Sequence, residues 1–518
     1  MRRIKIVIVL STSLILSGVF WISAISSQLS AVSSQKSKVS KRIELLGVRS
    51  KKNNVNSQSS ILPPEARLAR SGNPQSCSFF KWFDPNTNDE EGKRLLKNCS
   101  SCHLNYYEEW INDKHSMSQN NPFFLSIYSG KSGKASIYPG FKLDHPDQNG
   151  NCALCHNPEA ILPGRDVPMG LYDVDLRETS SLNTNGISCD FCHKIESIDQ
   201  NPLKKGVSGL NIFRDCKGLR DVRFGPIKDP VQIAPDKEEL KYNSLYKTSL
   251  VCAKCHDGSN GNVQIYSTFT EWLDSPAAKR GVQCQTCHMA PREEANVIVD
   301  NPKIKHKKRP YYEVHSHSFL TEDPHEFRKK FVDLSIRAGL NSASAEHETL
   351  TVTCTVSNNN PGHSFPTSSP MRNAVLVVEA KDKNGNDLKL IHGPRLPNYA
   401  GDLKNKPGRL FAKILEETSG EYARQHGEGG IKFRKAMRDL GIPAQDWWNV
   451  FVLSDTRIKA NSNDVSVYEF DVRAGLKPTP TEITAKLIWR NTWPGLAKIK
   501  GVKIQEDVLL EKKLPINP

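Results

Sequence analysis

The pattern Cys-x-x-Cys-His occurs five times within 190 residues, and that density constrains the fold more than any other feature of the chain. The runs are Cys99-Ser-Ser-Cys102-His103, Cys152-Ala-Leu-Cys155-His156, Cys189-Asp-Phe-Cys192-His193, Cys252-Ala-Lys-Cys255-His256 and Cys284-Gln-Thr-Cys287-His288. This spacing suits covalent attachment of haem c: two thiols form thioethers with the vinyl groups, and the adjacent imidazole becomes the proximal iron ligand. Structural zinc also uses paired Cys-x-x-Cys knuckles, but it has no need of a His directly after the second Cys. The expected cofactor is therefore five haem c groups, held by all ten motif cysteines, with His103, His156, His193, His256 and His288 as proximal ligands. One site per roughly 40 residues means that the porphyrins themselves must fill much of the core.

Residues 76–335 accordingly read as a loop-rich, mainly α, haem-packed domain. Two segments recur in it, Tyr106-Tyr-Glu-Glu-Trp110-Ile-Asn-Asp and Phe269-Thr-Glu-Trp272-Leu-Asp-Ser, each an amphipathic helical turn near a motif. From about 350 the hydrophobic period changes to two. Leu350, Val352, Cys354 and Val356 alternate with threonines, and Tyr468, Phe470 and Val472 alternate with acids. Ala374 to Ala380 is a near-continuous apolar strand followed by Asn384-Gly385, a type I′ hairpin signal. The fold class is thus α+β: the cytochrome domain, then an antiparallel, immunoglobulin-like β-sandwich over 336–518, with a helical insertion near 405–440.

Five haems need at most five further ligands, and ten His lie outside the motifs. Met would serve and raise the potential, but the haem region holds only Met117, Met169 and Met289, so the supply favours bis-His iron. The candidate distal ligands are His115, His317, His363, His145 and His325. His315, two residues from His317, would face the same side of an extended segment. His363 sits in a Gly/Pro-bounded loop between strands that could reach the haem domain. His347, His392 and His426 carry no local signal. Cys354 reads as a core thiol, and Cys77 and Cys216 as a disulfide option in an exported protein.

The formal charge of +15 is unevenly spread. Residues 1–75 hold 12 Lys/Arg against Glu44 and Glu65, leaving +5 for the other 443 residues. Haem propionates would bring the body near neutrality, and no aromatic-interleaved basic stretch suggests nucleic acid. Residues 1–31 combine a basic start with an uncharged stretch, Ile6 to Ile25, and read either as a cleaved signal or as a membrane anchor. Both place the body outside the cytoplasm, in the periplasm or on the outer face of the plasma membrane. Residues 32–75 read as a disordered basic linker.

Several stretches resemble bacterial multihaem cytochromes of the cytochrome c-554-like class, many of which carry a C-terminal β domain. They are Cys102-His103 through Trp110 to His115, Gly186-Ile-Ser-Cys189-Asp-Phe-Cys192-His193, and Trp272 through Gly281-Val-Gln-Cys284 to His288-Met289. Asn360-Pro-Gly-His363-Ser-Phe-Pro366-Thr367 and Ser454-Asp-Thr-Arg457-Ile458 also match, although Ser368 stands where that class commonly has Gly. The resemblance implies extracytoplasmic electron transfer to and from redox partner proteins. The alternative is a haem oxidoreductase acting on nitrite, hydroxylamine or nitric oxide at one five-coordinate iron. Pentahaem ammonia-forming nitrite reductases typically use Cys-x-x-Cys-Lys at that iron, and no such motif occurs here. An electron carrier is the favoured expectation.

Overall fold

The computed structural model describes residues 99, 102–161, 175–176, 186–201, 204–213, 221–232, 238–292, 297–299, 307–320, 323–344, 347–418, 435–472 and 480–516. The expected leader and linker, Cys77, Cys216, His306 and His426 lie outside these residues. The described part belongs to one compact unit. No described helix is long and apolar enough to cross a membrane.

Up to residue 330 the chain forms short helices and two-stranded ladders. The longest described helices there are α1 (Leu104–Ile111) and α2 (Pro122–Ser129), and a third, α3 (Thr268–Leu273), precedes the last motif. Apolar clusters in this region are small: Tyr128, Phe141, Ala153 and Leu176 form one, and Leu154, Phe191, Ile195, Val207 and Leu210 another. Such elements bury too little apolar surface to hold themselves together, which is the condition expected where a cofactor completes the core.

The remainder is two antiparallel sheets. Strands β1 (Val332–Ser344), β2 (His347–Asn358), β3 (Asn373–Asp382), β4 (Leu390–His392), β5 (Gly408–Glu417), β6 (Val450–Asp455), β7 (Ser462–Val472), β8 (Pro480–Arg490) and β9 (Glu506–Pro515) assort as β4-β7-β2-β1 and β6-β5-β3-β8-β9. Leu350, Val352, Cys354 and Val356 on β2 and Tyr468 and Phe470 on β7 share one core with Leu376 and Val378 on β3 and Ile483, Ala485 and Leu487 on β8. The period-two pattern of β2 and β7 has this cause: one face is core, the other is solvent. Strand β3 lacks the alternation because the five-stranded sheet is covered on both faces. Its other face packs Val375, Val377 and Leu410 against Trp448, Trp493 and Leu496, and against Ile127 and Ile265 from the haem region.

Three expectations are corrected here. Of the helical insertion expected near 405–440, residues 435–439 are helical, 419–434 lie outside the described residues, and 408–417 form strand β5: Leu410, Phe411 and Ala412 are buried on both faces, and burial overrides the helix-forming character of its Ala, Lys and Glu. The boundary at 335/336 falls inside β1. The turn after β3 is not type I′, since Gly385 alone has positive φ (83°) and its amide donates to Asp382 O at 3.0 Å, a type I turn closed by glycine.

The β region is tied to the haem region by buried polar contacts. Lys413 Nζ donates to Gln264 O, Ile265 O and Ser267 Oγ at 3.1–3.2 Å. The indoles of Trp447 and Trp448 both donate to Asp144 Oδ2, at 2.8 and 2.7 Å.

Candidate functional site

The motifs sit on single helical turns. Ala153–His156, Cys189–His193, Leu250–Ala253 and Cys284–His288 are α-helical, and the amides of His103, His156 and His256 donate to the carbonyls of Cys99, Cys152 and Cys252 at 2.8–3.0 Å. Residues i, i+3 and i+4 of a helix share one face, so each turn presents two thiols and an imidazole together. All five presentations open into one cavity of about 2810 Å³, lined by every motif Cys and every motif His. A pocket for one small ligand is typically ~300–1,000 Å³, so this space is of a size for several large groups.

The thiols show how the motifs neighbour one another. Cys155 hydrogen-bonds Cys255, and Cys252 hydrogen-bonds Cys284, while Cys192 acts electrostatically on Cys252 and Cys255, and Cys99 on Cys189. The fourth motif is therefore central, with the second, third and fifth around it and the first beside the third. Burial pushes the Cys152 and Cys192 thiols up to about 12. Among the described residues no three or more His, Cys, Asp or Glu gather as a metal-ion cluster.

The imidazoles are oriented. Nδ1 of His103 bonds Ile298 O (2.8 Å), His156 bonds Ser118 O (2.9 Å), His193 bonds Phe224 O (2.8 Å) and His288 bonds Phe319 O (2.8 Å). A ring that donates Nδ1–H to a carbonyl keeps the Nε2 lone pair free for a metal. Burial, the largest cause in each case, lowers the pKa of His156, His193, His256, His288, His317 and His363, with His256 and His317 held near about 3. These rings are neutral at neutral pH, the form that ligates.

Three proximal imidazoles face a second imidazole. His193 and His317 have ring centroids 6.3 Å apart with planes at 22°, His288 and His363 are 6.3 Å apart at 20°, and His115 and His256 are 6.0 Å apart at 70°. Two metal–nitrogen bonds of about 2 Å plus the half-widths of two rings give about 6 Å. His145 and His315 also line the cavity, and Nδ1 of His315 bonds Met289 O at 2.7 Å. Neither His103 nor His156 faces another imidazole among the described residues; Phe124 stacks on His156 at 3.8 Å. His325 does not line the cavity. It opens a short helix, 35% exposed, with Glu326 3.6 Å away.

Several residues of the site carried no sequence signal. Asp113, buried, accepts from His115 Nδ1 at 2.8 Å. Arg372 lines the cavity, and among the described residues its guanidinium donates to Thr367 O at 3.5 Å. Burial, then Arg328, pulls its guanidinium down to about 10. A half-buried guanidinium with one long hydrogen bond suits a carboxylate such as a haem propionate. Size, thiol placement, imidazole orientation and this cation all fit haem. Ser368, where the resemblance expects Gly, takes φ 77°, the left-handed conformation that explains the family's preference.

Residues 98–194 and 228–289 match the family described as cytochrome c554 and c-prime. Among solved structures the chain is similar to a penta-heme cytochrome c552 from Thermochromatium tepidum, at 20% identity and a TM-score of 0.53, over 81% of this chain and 97% of that one. A second structure, Northeast Structural Genomics Consortium target SoR45, aligns at 9% identity and a TM-score of 0.14, over 36% and 87% of the two chains, which carries no argument. No curated protein matches in sequence.

Proposed function

We infer that this chain, a multihaem c-type cytochrome of the cytochrome c554-like class, carries five covalent haems and serves as an extracytoplasmic respiratory electron conduit. The observation that carries this reading is the set of three facing imidazole pairs across a cavity lined by all five motifs. When bound, the haems supply a one-electron iron couple at each site.

The chain's own residues do the rest. The ten motif thiols fix position, and His103, His156, His193, His256 and His288 supply the proximal nitrogen. A haem held by His193 would also be held by His317, one held by His288 by His363, and one held by His256 by His115. His145 and His315 are the imidazoles left for the first two motifs. Backbone carbonyls at Nδ1 hold the tautomers, and burial keeps the rings neutral and the iron sites dry. Central placement of the fourth motif makes the route branched, with the first motif reached through the third. Residues 336–518 are read as an immunoglobulin-like sandwich that supplies His363 and braces the haem region. Residues 1–31 are read as an export signal or anchor, and the partners as other redox proteins outside the cytoplasm.

Electron paramagnetic resonance of the oxidised holoprotein tests this. The reading expects low-spin irons unmoved by nitrite or hydroxylamine. A high-spin iron that shifts on addition would replace it with a haem oxidoreductase acting on a small nitrogen compound. His363→Ala is expected to convert one iron, and only one, to high-spin; an unchanged spectrum would remove His363 from the ligand set.

A further inference from the structure

The two recurring Glu-Trp segments make the same contacts. On α1, Trp110 Nε1 donates to Ile187 O at 2.8 Å, two residues before Cys189. On α3, Trp272 Nε1 donates to Val282 O at 2.9 Å, two residues before Cys284. Five residues after each Trp the correspondence continues: Ile187 N donates to His115 O, and Val282 N to Ala277 O, both at 3.0 Å. Gly186 and Gly281, each one residue earlier, both take positive φ, 58° and 75°. Each indole thus grips the chain where it enters a motif.

The carboxylate before each Trp grips something else. Glu109 Oε2 accepts the backbone amide of His317 at 2.6 Å, and Oε1 accepts from Ser316 Oγ at 3.1 Å. Glu271 Oε2 accepts the backbone amide of Ser364, next to His363, at 3.1 Å and Thr367 Oγ1 at 2.8 Å. Arg292 backs Glu109 at 2.5 Å, and Arg457 backs Glu271 at 2.6 Å. His317 faces His193 of the motif that Trp110 holds, and His363 faces His288 of the motif that Trp272 holds.

We propose that each Glu-Trp dipeptide is a clamp that fixes both axial imidazoles of one haem, the indole on the proximal side and the carboxylate on the distal side. Glu109 and Trp110 serve the third motif; Glu271 and Trp272 serve the fifth. These are positioning residues, acting through backbone groups, and the proposal rests on the ligand assignments above. It explains why two adjacent residues of opposite character recur together. An indole donates one hydrogen bond and a carboxylate accepts several, so a single short helix can hold two chain segments on opposite sides of a cofactor.

The test is a double-variant cycle on the haem-loaded protein, read by electron paramagnetic resonance. Glu271→Ala is expected to give a high-spin signal of up to one iron. It should add nothing to His363→Ala and should add a second iron to His317→Ala, with Glu109→Ala showing the mirror pattern. Where Ala prevents accumulation, Glu271→Gln keeps one acceptor oxygen, and its shift in redox potential should vanish on the His363→Ala background. Trp272→Phe should shift the potential of the same haem as Glu271→Gln. A silent Glu271→Ala alongside a converting His363→Ala overturns the clamp alone, as does a Glu271→Ala effect that survives in full on the His363→Ala background. A silent His363→Ala overturns the ligand assignment and the clamp together.

Discussion

Replacing His115 with Met raises the potential of one haem, on the order of 100 mV, and leaves its iron low-spin. His115 faces His256 of the central motif, with Nδ1 2.8 Å from the buried Asp113 carboxylate. Burial would raise the Asp113 pKa, but the His115 hydrogen bond and charge outweigh it and hold the carboxyl below the usual range. An ionised acceptor raises the basicity of the ring and so favours ferric iron. A thioether is neutral and a weaker donor, so the ferrous state gains. Asp113→Asn should act in the same direction by less, about 60 mV for a tenfold change in a one-electron couple, and should add nothing on the His115→Met background. Potentiometric titration with optical detection measures both. Five unchanged potentials would return His115 to a purely structural role.

The grouping of two thiols and an imidazole at each motif was legible because it is written in contiguous residues that one helical turn brings to one face. The facing imidazoles were legible only as a supply of candidates. His115, His317 and His363 each meet a proximal ring from a distant part of the chain, and sequence spacing carries no record of such a meeting. His325 had the same local credentials, yet it does not line the cavity, although Pro324 and Phe327 of the same helix do. The two-sheet region was read from period-two alternation where one face is wet, as in β2 and β7. It was misread at β5, where both faces are dry and the residues are helix formers. Strand β1 does alternate, Leu334 and Ile336 against Asp333 and Ser335, but it lies where the two regions join, and the expected boundary at 335/336 falls inside it. The Glu-Trp repeat was visible, but the role of its carboxylates was not. They act on amides more than ninety residues away.

Acid should weaken the tie between α3 and the β region only well below neutral pH, and Glu271 sets the window. Its carboxylate is 12% exposed. Burial alone would raise its pKa, but Arg457, Ser267 and Thr367 together outweigh burial and hold it at about 2, below the ordinary 4.5. A group whose folded pKa is depressed stabilises the native state in full above its unfolded value and loses that contribution as pH falls to the folded one. The window is therefore from 4.5 down to about 2, and the amount is about 3 kcal/mol at 1.36 kcal/mol per unit. Glu271→Gln removes the titration but keeps an acceptor oxygen for Ser364 N. Denaturant unfolding of the holoprotein is expected to show a variant destabilised at pH 6, by an amount that shrinks by about 3 kcal/mol relative to the native protein as pH approaches 2. Arg457 keeps Asp455 at 2.7 Å in the variant, so the loss at pH 6 should fall at or below the roughly 3–5 kcal/mol of a fully broken buried pair. Parallel pH profiles for the two proteins would mean that the Glu271–Arg457 contact is not an ion pair in solution. The His363 loop would then be held by its other contacts, among them Asn358 Nδ2 donating to His363 O at 3.0 Å and the paired backbone bonds between Phe365 and Ile458 at 2.8 and 2.9 Å.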